Sequence, residues 1–119
     1  PMEMRLRSHL ELAIGPPADV RIQLTSAGGQ AVDRDLSLAV AGEREGEHFF
    51  GDDVPGGSWT FVGEGGLRVT QSFKPAQVES TWVYAYPAEL GEVEVELWAP
   101  RRTLGPGESV EIEQRIRIE

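Results

Sequence analysis

Apolar residues recur at every second position of this chain, in short runs broken by glycine and proline. Met2, Met4, Leu6, Leu10, Leu12 and Ile14 share one parity, while Glu3, Arg5, Arg7, His9 and Glu11 take the other. A strand sends successive side chains to opposite faces, whereas a helix repeats every 3.6 residues. The segment is therefore expected to be a strand with one dry face. Ser8 interrupts that face, which marks a bulge or a switch between sheets. Gly15-Pro16-Pro17 ends the run, because proline has no donor for a ladder.

The same pattern continues to the end of the chain. Val20, Ile22 and Leu24 form the next apolar face, with a permissive turn at Gly28-Gly29. Leu36, Leu38 and Val40 read as a further strand, and Glu43-Arg44-Glu45-Gly46-Glu47 as a solvated hairpin tip. Phe49-Phe50, Trp59 with Phe61, and Leu67, Val69 and Phe73 follow as strands. Trp82, Tyr84 and Tyr86 alternate with Thr81, Val83 and Ala85. Pro87 to Gly91 is a turn into Val93, Val95 and Leu97, which interleave with Glu92, Glu94 and Glu96. Val110, Ile112, Ile116 and Ile118 close the series. Eight or nine short strands with Gly/Pro punctuation imply an all-β antiparallel sandwich. The length of 119 residues suits a single domain over 1–119.

Composition narrows the partners. Eleven basic against twenty acidic residues give a formal charge of -9. Nucleic-acid affinity depends on cations that neutralise phosphates, so neither nucleic acid nor an anionic membrane surface is an expected partner. The chain has no cysteine, which removes disulfides and thiolate ligands. No apolar run approaches the roughly 20 residues that span a bilayer. No signal peptide is visible at the alternating N-terminus, and a cytoplasmic, soluble protein is the first expectation.

Two stretches carry resemblances. Leu104-Gly105-Pro106-Gly107-Glu108-Ser109-Val110 before an alternating strand resembles the late strands of bacterial immunoglobulin-like sandwiches. With Glu96-Leu97-Trp98 ahead of it, the ending also resembles the closing strands of aldose-epimerase-like carbohydrate-active proteins. Val54-Pro55-Gly56-Gly57-Ser58-Trp59-Thr60-Phe61 is similar to the Pro-Gly-x-aromatic turn of transthyretin-like and collagen-adhesin B-type modules. The immunoglobulin-like resemblance implies an immunoglobulin-like fold and the aldose-epimerase-like one a sugar ligand. The Lys–Asn cross-link of the adhesin modules has no Asn to form with, which leaves Lys74, the sole lysine, only a Lys–Asp variant.

Trp59, Trp82, Tyr84, Tyr86 and Trp98 are the candidate ligand-binding residues, since exposed aromatics lose little entropy when a sugar ring or partner stacks on them. Large aromatics more often fill a core, so the set is first expected between the sheets. Asp33-x-Asp35 and Asp52-Asp53 are the carboxylate pairs a calcium ion would use, although no EF-hand spacing is present and no metal is expected. His9 and His48 lie 39 positions apart and read as solvated histidines without ligand partners. Glu92, Glu94 and Glu96 facing Arg115 and Arg117 are expected to form cross-strand charge pairs, with an acidic patch for a basic partner as the functional alternative. No nucleophile elbow or phosphate loop occurs, and no catalytic residue or cofactor is assigned. The expected function is a non-catalytic binding or interaction module for a carbohydrate or a protein. The alternatives are a carbohydrate-active enzyme or its accessory domain, acting through paired carboxylates, and a structural domain that forms homo-oligomers.

Overall fold

The computed structural model describes residues 1–85 and 91–119. Tyr86 and most of the expected 87–91 turn lie outside the described residues. Eleven strands run along them: β1 (Met2–Met4), β2 (Arg7–Leu12), β3 (Arg21–Ser26), β4 (Ala31–Asp35), β5 (Gly46–Phe50), β6 (Pro55–Val62), β7 (Arg68–Phe73), β8 (Ser80–Tyr84), β9 (Val93–Trp98), β10 (Arg102–Leu104) and β11 (Gln114–Ile118). One helical turn, α1 (Ser37–Val40), lies between β4 and β5. The strands form a five-stranded sheet β11-β7-β6-β3-β4, a four-stranded sheet β2-β9-β8-β5 and a ribbon β1-β10. Their pairings are antiparallel throughout. The protein is an all-β sandwich.

The core is where the alternation puts it. Ile22 and Leu24 of β3, Trp59 and Phe61 of β6 and Val69 of β7 point inward from the larger sheet. Phe49 of β5, Val83 of β8 and Val93, Val95 and Leu97 of β9 meet them from the smaller one. Phe49 touches Trp59 edge to face at 6.0 Å, which joins the sheets directly. Each aliphatic or phenylalanine side chain buried this fully is worth roughly 1.5–3 kcal/mol over its exposed state. A polar chain leads from the same space to the surface. Trp59 Nε1 donates to Gln71 Oε1 at 2.7 Å, Gln71 Nε2 to Gln114 Oε1 at 2.7 Å, and Gln114 Nε2 to Ser8 Oγ at 2.8 Å. The indole N–H thus keeps a partner in the core, and β11 is tied to β2 of the opposite sheet.

Four expectations change. The first alternating run is two strands, because the chain switches from the ribbon to the four-stranded sheet at Arg5-Leu6; Ser8 is in register and bonds Gln114. Leu36, Leu38 and Val40 are not a strand. Asp35 Oδ1 accepts the Ser37 amide at 3.0 Å and hydroxyl at 2.6 Å, which starts a turn closed by Val40 N to Leu36 O. Leu36 and Ala39, three apart, then fill the core instead. The charged stretch 43–47 is not all solvent-facing either: Gly46 and Glu47 open β5, and Glu47 is 3% exposed between Arg34 at 3.1 Å and Arg44 at 3.3 Å. Finally, β9 and β11 belong to different sheets. Arg115 and Arg117 oppose Ser72 and Thr70, while Glu94 and Glu96 face β2 and β8.

Where the loop after β2 meets the loop after β6, backbone touches backbone: Glu64 N donates to Ile14 O at 2.8 Å. A side chain on Gly63 would run into that carbonyl, so only glycine fits.

Candidate functional site

The outer face of the four-stranded sheet carries the chemistry. Antiparallel register sets it out in three rows across β2, β9, β8 and β5. Arg7, Trp98, Ser80 and Phe50 form the first, His9, Glu96, Trp82 and His48 the second, and Glu11, Glu94, Tyr84 and Gly46 the third. The alternate residues of β8 decide this orientation. Thr81, Val83 and Ala85 are buried, so Trp82 and Tyr84 must point out.

The rings stand on the sheet and stack against one another. His48 lies 3.8 Å from Trp82 at an interplanar angle of 5°. Tyr84 follows on the same strand at 5.3 Å and 9°. Phe50 leans on His48 at 4.8 Å and is 60% exposed. The result is an aromatic ridge, Phe50-His48-Trp82-Tyr84, in which Trp82 stacks with two neighbouring rings. Burial holds the His48 imidazole below its ordinary pKa of 6.5, and Arg5 adds to the effect. Tyr84 is raised above 10.0, mainly by burial and then by Glu96.

Beside the ridge lies an acidic strip. Glu96 is 4% exposed, and Trp98 Nε1 donates to its Oε1 at 3.0 Å. Arg7 and His9 Nδ1 approach its Oε2 at 3.7 and 3.8 Å. His9 Nε2 lies 3.7 Å from Glu94 Oε2. Arg5 and Arg7 place their guanidinium carbons over the Trp98 ring, 4.9 and 5.2 Å from its centroid.

Of the aromatic candidates, Trp82, Tyr84 and Trp98 share this face. Trp59 is in the core. Tyr86 lies outside the described residues. His48, read as solvated, is instead half-buried inside the ridge. The calcium candidates lie elsewhere. Asp33 Oδ1 accepts from Arg21 Nε at 2.8 Å, and Asp35 is lowered below its usual pKa by its bonds from Ser37. Asp52 and Asp53 lie in the turn between β5 and β6. Among the described residues these four do not converge; the group that does is His9, Glu11 and Glu94, whose ligand atoms all lie within 4.8 Å of one another. Sequence reading gave His9 no partner because Glu94 is distant along the chain and only the β2–β9 register brings it near. Lys74 pairs with Glu113 rather than with an aspartate.

The outer face of the five-stranded sheet is different in kind. It holds an open trough of about 940 Å³ floored by small and polar residues such as Thr25, Ala31, Ser58 and Thr60. Among the described residues no exposed aromatic lines it. Among the described residues no helix is long and apolar enough to cross a membrane.

Set beside known proteins, the chain matches no family model, no curated protein and no solved structure.

Proposed function

We propose that this protein is a non-catalytic binding module of immunoglobulin-like type whose outer four-stranded face engages a protein partner bearing basic side chains. The aromatic ridge carries the reading. Sheet faces turned to water are ordinarily polar, yet here a histidine and three aromatic rings are lined up on the wet side while Phe49, Thr81 and Val83 take the dry side of the same strands. Aromatic clusters of this kind supply the anchors of protein interfaces. Glu94 and Glu11 run alongside, where arginine or lysine from a partner would find carboxylates.

Two features favour a protein over a sugar. A sugar ring stacks on an open indole face, whereas Trp82 already stacks with His48 and Tyr84. Trp98 is already engaged by two guanidiniums. The carboxylates lie on an open face instead of opposing walls of a cleft, which also favours binding over glycoside hydrolysis.

The test is an NMR titration of the indole N–H resonances with two probes, an arginine-rich decapeptide and cellohexaose. The decapeptide is expected to shift the Trp82 and Trp98 signals, not that of Trp59, with an affinity that falls as salt rises. Glu94→Gln and Trp82→Ala, each checked for folding, are expected to abolish the shift. Perturbation by the oligosaccharide alone would replace the proposal with a carbohydrate ligand, and an unresponsive face would end it.

A further inference from the structure

The acidic strip contains an arrangement that interface binding does not explain. Glu11 and Glu94 are direct partners in the β2–β9 register. Like charges placed opposite each other destabilise a sheet. Among the described residues neither carboxylate is hydrogen-bonded, and the neighbouring group is the imidazole of His9, with Nε2 turned toward Glu94.

The opposite side of that imidazole is just as specific. Nδ1 is turned toward Glu96 Oε2 at 3.8 Å. Glu96 is almost fully buried and is fixed by the Trp98 indole through its other oxygen. With a metal on Nε2 the imidazole proton sits on Nδ1, facing this buried carboxylate. Nε2 then offers its lone pair on the Glu94 side. Metal-binding histidines are oriented in this way, with the second ring nitrogen turned to a carboxylate.

We propose that His9, Glu11 and Glu94 bind a divalent transition-metal ion of the zinc type, with Glu96 and Trp98 positioning His9. One imidazole nitrogen with two carboxylates is a borderline donor set, suited to zinc and its first-row neighbours and poorly to magnesium or calcium, which prefer oxygen alone. Ligands to zinc sit at about 2.0–2.2 Å, so the three atoms must draw together by about 1 Å, within reach of the glutamate torsions. The ion would neutralise the opposed Glu11–Glu94 pair. Its remaining coordination positions face solvent. The site does not depend on the protein-partner reading, since it needs only the β2–β9 register.

Isothermal titration of the tag-free chain with zinc chloride tests this. A single saturable equivalent is expected, with magnesium and calcium chlorides giving no comparable heat. His9→Gln and Glu94→Gln are each expected to weaken binding at least about tenfold, and Trp98→Phe, which keeps an aromatic ring but removes the tether to Glu96, by roughly tenfold or more. His48→Gln is expected to leave it unchanged. Long-range proton–nitrogen NMR is expected to show the zinc-dependent shift at His9 Nε2 with Nδ1 still protonated. Binding that survives His9→Gln, that is lost equally in His48→Gln, or that is weaker than about 1 mM would overturn the site. Urea unfolding of each variant without metal separates loss of ligands from loss of fold.

Discussion

At Thr81 a β-branched residue sits fully buried on the inner side of β8, and its hydroxyl has no hydrogen-bond partner among the described residues. An unpaired hydroxyl in a dry site costs about 1–3 kcal/mol, and valine has nearly the same shape without it. Thr81→Val is therefore expected to raise the urea midpoint by the equivalent of about 1 kcal/mol, with an unchanged slope. An unchanged or lowered midpoint would mean that the hydroxyl is satisfied. On the outer side of the sheet, His48 supplies a pH dependence. Its folded pKa lies below 6.5 because burial against Trp82 disfavours the cation. The unfolded chain binds the proton first, near pH 6.5. His48 therefore adds stability that is fully present above that pH and is lost as the pH falls through the lower, folded value. Wild type should lose stability between pH 7.5 and 5 by more than His48→Phe, which keeps a ring in the stack. Equal losses in the two proteins would show that His48 does not contribute.

At the level of elements, alternation was enough to place most strands and to say which residues pair off as dry and wet. It located β3, β6, β7 and β9 with their inward residues, because each is a run of period two bounded by glycine or proline. It failed where local hydrogen bonding competes with pattern. Leu36, Leu38 and Val40 alternate, yet the Asp35 carboxylate captures the Ser37 backbone and hydroxyl and winds the segment into α1. Alternation is also silent about partners. The register that sets Glu94 beside His9, and the separation of β9 from β11, depend on which edges meet over long sequence distances. The same blindness hid the candidate site. Trp82 and Tyr84 on one side of β8 and Val83 on the other are both apolar, so the sequence alone left the dry side open. Packing settled it, because Phe49, Trp59 and Leu97 already crowd the interior and the smaller Thr81, Val83 and Ala85 fit what remains.

Across the whole molecule, charge and shape work against each other on one side of the sandwich. The larger sheet outruns the smaller at β11, whose five residues are all exposed, with Ile118 at 70% and Ile116 at 40%. Both isoleucines oppose inward-facing partners of β7, Val69 and Gln71, so they lie on the core side of the sheet with no strand of the smaller sheet to cover them fully. This is an edge strand with an apolar row, the feature that most readily recruits another chain. A formal charge of -9 keeps copies apart at neutral pH. That protection fades as the carboxylates titrate toward the isoelectric point near 4.7. Light scattering on the folded protein is therefore expected to rise steeply between pH 6 and 4.7 at physiological salt. Ile116→Lys with Ile118→Lys should suppress the rise, since it replaces the apolar row of the edge strand by charge and shifts the isoelectric point upward only slightly. Replacing Arg115 and Arg117 by Lys, which leaves the apolar row and the net charge untouched, should not. If the isoleucine variant scattered as wild type does, association would have to start from another surface, and the ridge of Phe50, His48, Trp82 and Tyr84 would be the next to alter.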